Sequence, residues 1–244
     1  MVELYEQGEG ENSRENPKPE KVLRKKKYLQ EMEAGNYALA LSMLDKEINE
    51  SPENPVLLYN FAICCSKTSN HKKSISILQE LLQKFPRFIE IDSIYRLLIF
   101  SLIQTQRYPE ALLITDERLK INVGDLRLLS FRAYILERMN MIPESIQIHK
   151  NILKIRPDYK NSLNSLAFLI SELESPSEED LNIATESIKK ALVLDSENPA
   201  YLDTFGMLLN KRGNKEAALK ALNKALSKSP TQTAEILDHL SKLI

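Results

Sequence analysis

The sequence has little of several features that would assign it to a class at once. Its 244 residues include no tryptophan and only two cysteines, Cys64 and Cys65. Because these cysteines are adjacent and flanked by apolar residues, they indicate buried, reduced thiols and exclude the framework of a disulfide-rich secreted domain. No stretch approaches the ~18 consecutive apolar residues that a membrane-spanning helix needs.

Net charge is almost absent as well. Thirty-three Lys and Arg residues oppose thirty-four Asp and Glu residues, so the formal net charge is −1. This balance offers no bulk attraction to nucleic acid or to anionic membranes. The first twenty residues show neither an apolar signal segment nor a lipid-attachment pattern. The expectation is a cytoplasmic protein without a nucleic-acid or membrane partner.

Motifs of catalysis are also missing. The sequence has no Gly-rich phosphate loop, no CxxC pair and no nucleophile elbow. His71, His149 and His239 are far apart along the chain, and none has the spacing of a metal ligand. The sequence therefore predicts a non-enzymatic protein with no catalytic residue, no metal site and no cofactor.

What is present is an internal repeat, clearest around FGMLLNKRGNKEAAL at residues 205–219. Apolar and small residues recur there at Leu202, Phe205, Gly206, Leu209, Gly213, Ala218, Leu222, Ala225 and Pro230. This spacing resembles the tetratricopeptide repeat, whose unit of ~34 residues is two antiparallel helices, A and B. Leucine stands here where the family signature has Trp, Tyr and Phe. The resemblance implies that Gly206 and Ala218 mark the closest approach of the two helices, where larger side chains would not fit.

The same register places six repeats, at 21–54, 55–88, 92–125, 126–159, 160–198 and 199–232. The small position of helix A is then Tyr28, Ala62, Ile99, Ala133, Ala167 and Gly206. The small position of helix B is Ala40, Ser74, Ala111, Ser145, Ala184 and Ala218. The predicted fold is an all-α, right-handed superhelical solenoid of helix-turn-helix repeats in a single domain, residues 21–244.

Three further segments complete this organisation. Repeat five carries about five extra residues near 174–180, where Ser177 and Asp180 indicate a capping box that starts helix B. At about 233–244 an apolar face of Ile236, Leu237, Leu240, Leu243 and Ile244 predicts a capping helix. Residues 1–20 hold six Glu against one Arg and one Lys, which predicts a disordered acidic tail.

The resemblance further implies that a ligand lies in the groove lined by the A helices. The middle position of that face is apolar in every repeat: Leu29, Ile63, Phe100, Tyr134, Phe168 and Met207. Lateral packing between neighbouring A helices explains these residues as well as ligand contact does, and both roles are compatible. The candidate groove residues are Ile63, Lys67, Arg96, Phe100, Arg127, Tyr134, Arg138, Asn164, Phe168 and Met207.

Two functions remain open at this point. The first is a protein-interaction scaffold whose groove binds a peptide or partner segment with acidic and apolar side chains. The alternative is a structural subunit that self-associates through the same apolar residues. Binding of chaperone C-termini is not expected. Lys25 and Asn60 match the family's carboxylate clamp, but the other clamp positions hold Leu29, Ser93 and Leu97.

Overall fold

The computed structural model describes residues 26–229 and 233–243, and these residues form thirteen α-helices and no strand. The predicted all-α solenoid is therefore confirmed. The helices are α1 (Lys27–Glu33), α2 (Tyr37–Glu50), α3 (Pro55–Lys67), α4 (His71–Lys84), α5 (Ile91–Gln104), α6 (Tyr108–Ile121), α7 (Leu126–Arg138), α8 (Ile142–Ile155), α9 (Lys160–Glu172), α10 (Glu178–Leu194), α11 (Pro199–Lys211), α12 (Lys215–Lys228) and α13 (Thr233–Ser241).

Odd-numbered helices from α1 to α11 are the A helices, and even-numbered helices from α2 to α12 are the B helices. Each A helix packs on the B helix that follows it, and each B helix packs on the next A helix. Helix α5 begins at Ile91, one residue before the repeat boundary placed from the sequence. The predicted acidic tail at residues 1–20, Lys25, Pro230 and Ile244 lie outside the described residues.

The small residues of the B helices lie at the centre of the core. Ala40, Ser74, Ala111, Ser145, Ala184 and Ala218 are all 0% exposed. Two of them do more than leave room, because the Ser74 hydroxyl donates to the Ala62 carbonyl at 3.0 Å and the Ser145 hydroxyl donates to the Ala133 carbonyl at 2.9 Å. Each serine thus links the B-helix small position to the A-helix small position of its own repeat.

Gly206 marks the closest of these helix contacts. A Cβ atom at Gly206 would lie 2.6 Å from the Leu222 Cγ atom and 3.3 Å from the Ala218 carbonyl oxygen. Among the described helices, α11 and α12 share the most extensive backbone contact. The helix-propensity cost of Gly206, about 1 kcal/mol against alanine, is accordingly offset by packing.

Five of the turns between A and B helices share one backbone conformation, although only two of them carry the glycine that indicates it in the sequence. In five of these turns the middle residue has positive φ: Gly35 at 81°, Ser69 at 62°, Gln106 at 58°, Asn140 at 61° and Gly213 at 78°. The residue after it donates its N–H to a carbonyl five residues earlier, as in the Arg107 to Leu102 bond of 2.9 Å. This is a Schellman C-cap, in which glycine has no steric cost and other residues do.

Replacing Gln106 with glycine should therefore raise the free energy of unfolding by about 1 kcal/mol, because the left-handed conformation no longer strains a side chain. The matched control is Gln79→Gly in the exposed interior of α4, where the same substitution should lower stability by about 1 kcal/mol. Urea unfolding curves compare the two variants. If Gln106→Gly also destabilised the protein, the turn geometry would not be the source of strain.

Repeat five differs from the others in its second helix. Helix α10 has 17 residues whereas α2, α4, α6, α8 and α12 have 14. Part of the insertion therefore extends α10 at its N-terminus, and the rest lengthens the turn. The Ser177 hydroxyl accepts from the Asp180 N–H at 3.1 Å and donates to the Asp180 carboxylate at 2.7 Å, which confirms the predicted cap.

Helix α13 covers the end of the solenoid, but its buried face differs from the predicted one. Ile236 is 1% exposed and packs in a cluster with Leu202 and Leu222, whereas Leu237 is 49% exposed. The expectation that Leu237 belongs to the buried face is wrong, and His239 is buried instead. His239 faces α11, where it contacts Asp203.

Cys64 and Cys65 are buried free thiols, as predicted, and burial raises the pKa of Cys64 to about 11. None of the described helices is both long enough and apolar enough to cross a bilayer.

Candidate functional site

A row of partly exposed apolar side chains follows the A helices and is called here the A-helix stripe. It consists of Leu29, Ile63, Phe100, Tyr134, Phe168 and Met207. None of the six is fully buried, and Phe100 and Tyr134 are 38% and 43% exposed. These residues occupy the same position in successive A helices, so each A helix contributes one apolar side chain to the stripe.

Neighbouring side chains hold parts of the stripe in place. The Phe100 ring contacts the His71 ring edge-on, with 5.9 Å between the ring centroids. The Ser171 hydroxyl lies 3.9 Å from the Met207 sulfur. Phe168 packs against the core cluster around Leu166 and Ala167. The stripe therefore combines lateral packing with exposed surface, as the sequence left open.

The cations that the sequence places beside the stripe are not equally available. Arg96 donates to the Asp125 carboxylate at 2.8 Å, and Lys67 lies 5.9 Å from the centroid of the Tyr37 ring. Arg138 donates to the Tyr108 hydroxyl at 3.3 Å. Arg127 makes no side-chain hydrogen bond to a described residue. Arg127 is thus the predicted groove cation whose charge remains free for a ligand.

Asp125 caps the N-terminus of α7. Its carboxylate accepts from the N–H groups of Arg127 at 2.9 Å and Leu128 at 3.1 Å. Burial alone would raise the pKa of Asp125, but the hydrogen bonds from Arg96 and from these backbone groups outweigh burial and lower that pKa. Arg96 is therefore neutralised by a local carboxylate, which reduces the basic character expected of the groove.

A cavity of about 620 Å³ opens beside this pair, and it is called here the arginine pocket. Arg96, Arg127, Arg156 and Tyr159 line it. The Arg156 guanidinium lies 6.0 Å from the centroid of the Tyr159 ring, and the Arg96 Nε is buried without a hydrogen-bond partner. Sequence reasoning missed Arg156 because it follows a B helix and is not part of the A-helix pattern.

A second cavity of about 290 Å³ lies between α7 and α9 and is called here the acceptor pocket. Its lining is mostly polar: Ser130, Tyr134, Glu137, His149, Asn161, Asn164, Ser165 and Tyr201. The Asn164 Oδ1 is buried without a hydrogen-bond partner. Burial raises the pKa of Glu137, and the nearby Arg138 charge only partly opposes it. The pocket therefore contains a desolvated carboxyl group and an unpaired amide oxygen.

His149 closes the inner side of the acceptor pocket as a neutral group. It is 5% exposed, and its Nδ1 lies 3.0 Å from the Ser162 hydroxyl oxygen. Burial lowers its pKa to about 4. His149 is therefore a packed core histidine whose ring carries no charge at neutral pH.

At the C-terminal end, α13 and α11 are joined by a buried pair. The His239 Nδ1 lies 2.9 Å and 3.0 Å from the two carboxylate oxygens of Asp203. The carboxylate can only accept, so Nδ1 carries the proton. Asp203 is only 6% exposed, because α13 covers it.

Glu235 adds a third ligand-type atom near this pair. Single ligand atoms of Asp203, Glu235 and His239 lie within 4.8 Å of one another, so these three could hold a metal ion. Sequence spacing did not reveal the group because Asp203 and His239 are 36 positions apart. The direct hydrogen bonds between His239 and Asp203 account for the geometry without a metal.

Two sequence comparisons identify related chains. The tetratricopeptide repeat family model matches residues 31–98. A tetratricopeptide repeat-containing protein of Pseudomonas aeruginosa is 24% identical over 212 residues. That alignment covers 86% of this chain but spans only 29% of the length of the relative.

Solved structures share the fold at low sequence identity. The Pseudomonas aeruginosa protein PilF superposes with a TM-score of 0.68 and 14% identity, covering 87% of this chain and 94% of that one. YrrB, described as a tetratricopeptide repeat protein with an unusual peptide-binding site, gives a TM-score of 0.58 and 16% identity. The match covers 82% of this chain and 97% of YrrB.

Proposed function

The chain is a tetratricopeptide repeat protein, and we propose that it is a non-enzymatic scaffold that binds a segment of a partner protein along its A helices. The observation that carries this proposal is the A-helix stripe, which stays partly exposed through all six repeats. A preformed surface of this kind needs little ordering on the scaffold side when a segment binds.

The solenoid explains how such a surface remains open. Each repeat contacts its neighbours and buries its small positions between helices A and B, so part of the stripe can stay exposed while the rest packs on the core. Phe100 and Tyr134 provide the largest exposed rings at the centre of the stripe. Aromatic anchors with partial exposure are the side chains that most often dominate binding energy.

The proposed partner segment has apolar side chains for the stripe and an acidic side chain for the arginine pocket. Arg127 and Arg156 supply positive charge there, and planar guanidinium groups pair well with carboxylates. YrrB, which has the same fold, is a peptide-binding protein by its own description. A cytoplasmic location is part of the proposal and is supported by the two free thiols.

Replacing Phe100 or Tyr134 with alanine should weaken partner binding by about tenfold or more, because a central aromatic contact is lost. The partner is first identified by pull-down with the full chain and mass spectrometry, and the affinity is then measured with purified proteins. Circular dichroism should show unchanged helix content, since both rings are partly exposed. If either variant loses helix, the ring belongs to the core and the groove assignment fails at that position.

Leu113→Ala is the matched control for these two variants. Leu113 is 62% exposed on α6, a B helix, so its loss removes apolar surface that is not part of the A-helix stripe. Affinity for the captured partner should not change. An equal loss of binding in this variant would show that the B-helix side contributes to the interface.

The alternative is a structural subunit that self-associates through the same stripe. Size-exclusion chromatography with light scattering over a range of protein concentrations separates the two functions. A stable dimer that Phe100→Ala and Tyr134→Ala both dissociate would favour the structural subunit over the scaffold.

A further inference from the structure

We propose that the acceptor pocket receives a lysine or arginine side chain of the partner segment. This inference rests on the proposed function and names one chemical requirement of the partner, opposite in charge to the acidic side chain assigned to the arginine pocket. The inference stands on Glu137, Asn164 and Tyr134, which line one cavity between α7 and α9.

The position of the pocket follows from the packing of the A helices. The backbone of α9 lies close to α11, whereas α7 and α9 approach each other less closely. The gap is wide enough for about 290 Å³ of open volume, with Tyr201 of α11 and His149 of α8 on its inner sides. An extended side chain from a segment lying on the stripe can therefore enter between two A helices.

Hydrogen-bond acceptors in the pocket lack donors. The Asn164 Oδ1 is buried and unpaired, and the Glu137 carboxylate accepts no hydrogen bond from a described residue. A buried acceptor without a donor, such as the Asn164 Oδ1, is unfavourable, and so is the partial desolvation of the Glu137 carboxylate. A ligand that brings several N–H donors and a positive charge removes both costs together.

No cation among the described residues forms a hydrogen bond or ion pair with Glu137, although the Arg138 charge lies near enough to oppose the effect of burial on its pKa. Arg138, the nearest basic residue in sequence, donates from Nε to the Tyr108 hydroxyl of α6. His149 is neutral at ordinary pH because burial lowers its pKa to about 4. The Tyr134 ring lines the same cavity, and a cation over an aromatic face gains further attraction. The charge that faces the cavity is thus the carboxylate of Glu137.

The arginine pocket and the acceptor pocket together define the orientation of the partner segment along α7. Arg127 and Glu137 are ten positions apart on α7, which corresponds to about 15 Å along the helix axis. An extended chain covers that length in about four or five residues. A segment with an acidic residue at one end of this span and a basic residue at the other matches the two pockets together.

The direct test uses small probes that differ only in charge. Nα-acetylarginine amide and its neutral isostere Nα-acetylcitrulline amide are titrated into the full chain, with the Asn164 side-chain amide followed by NMR. The arginine derivative should bind at least about tenfold more tightly, because hydrogen bonds to a charged group are the stronger ones. Glu137→Gln should remove this preference, while Glu144→Gln, at an exposed position of α8, should keep it.

Equal binding of the two probes would overturn the inference, and so would an arginine derivative that binds without perturbing Asn164. A preference that survives Glu137→Gln would also overturn it, since the carboxylate would then not be the recognising group. Asn164→Leu is a second variant, which removes the amide, and it should abolish probe binding as followed by the side-chain amide of Asn161 in the same pocket. Circular dichroism checks that both variants fold.

A displayed peptide library separates this inference from the proposed function. Peptides enriched by the wild-type chain should share a Lys or Arg that peptides enriched by Glu137→Gln lack. Enriched peptides without a basic position would overturn the pocket and leave groove binding intact. If no peptide were enriched, groove binding would fail, and the probe titration would still decide the pocket by itself.

Discussion

Replacing Ala218 or Ala184 with leucine should lower the free energy of unfolding by about 1–3 kcal/mol through overpacking. Both residues are 0% exposed, and each lies where helix B crosses helix A of its own repeat. At Ala218 the neighbouring α11 leaves no spare room, because even a Cβ atom at Gly206 would lie 3.3 Å from the Ala218 carbonyl oxygen. Three further carbons at Ala218 must push α11 and α12 apart.

The measurement is urea unfolding followed by circular dichroism, with Ala38→Leu as the matched control. Ala38 is exposed on α2, two residues before the buried Ala40, so the same substitution there should change stability by less than about 0.5 kcal/mol. Equal destabilisation at exposed and buried positions would contradict the idea that small residues at this position keep the helices close.

The sequence was informative wherever packing demands one kind of residue at a fixed spacing. Small residues at the B-helix position and Pro109 and Pro143 in first turns all have local causes. A helix crossing tolerates little side-chain volume, and a proline without an N–H is tolerated where no intrahelical bond is lost. Each of these requirements limits the residue type at one position, so it can be recognised in one sequence.

Other features of the fold and of the candidate site could not be predicted from the spacing of residues in the sequence. Arg96 was counted as a groove cation, yet its partner Asp125 begins the next A helix 29 positions later. Asp203 lies on an A helix, yet α13 buries it and places His239 within hydrogen-bond distance, 36 positions later. The strained turns at Ser69, Gln106 and Asn140 carry no glycine signal although they share the conformation of Gly35 and Gly213. The contacts of Arg96 and Asp203 arise where one repeat meets the next element, whereas the strained turns lie within single repeats.

The buried pair of Asp203 and His239 should contribute more to stability than an exposed ion pair on the same end helix. Asp238 pairs with Lys242 at 2.8 Å, but both side chains are about 60% exposed, and such surface pairs contribute little to stability. Asp203 and His239 are 9% and 8% exposed in their side chains. Removing one partner of a buried pair leaves the other without compensation.

Asp203→Ala should therefore weaken the docking of α13 by about 3 kcal/mol, whereas Asp238→Ala should have a small effect. The end helix of a solenoid can detach without global unfolding, so the loss is measured as hydrogen exchange of the α13 amides. Unchanged protection of α13 in Asp203→Ala would show that Ile236 and Leu243 alone hold the helix.

The same pair should make this docking depend on pH. The hydrogen bond to Asp203 raises the pKa of His239 above its ordinary value of 6.5, although burial opposes the shift. A raised pKa in the folded state means that the pair stabilises α13 fully below pH 6.5 and that this stabilisation is lost as the pH rises through the folded-state pKa. Glu172, Lys211 and Lys242 also face this end of the solenoid, and Glu235 lies beside the pair. Histidine is the side chain whose ordinary pKa places its change of charge between pH 5 and 8. In His239→Gln the amide keeps a donor for Asp203 without the titration, so the protection of α13 should become independent of pH over that range. A wild-type chain whose α13 protection does not fall above pH 6.5, relative to His239→Gln, would exclude the charged pair as the source of docking.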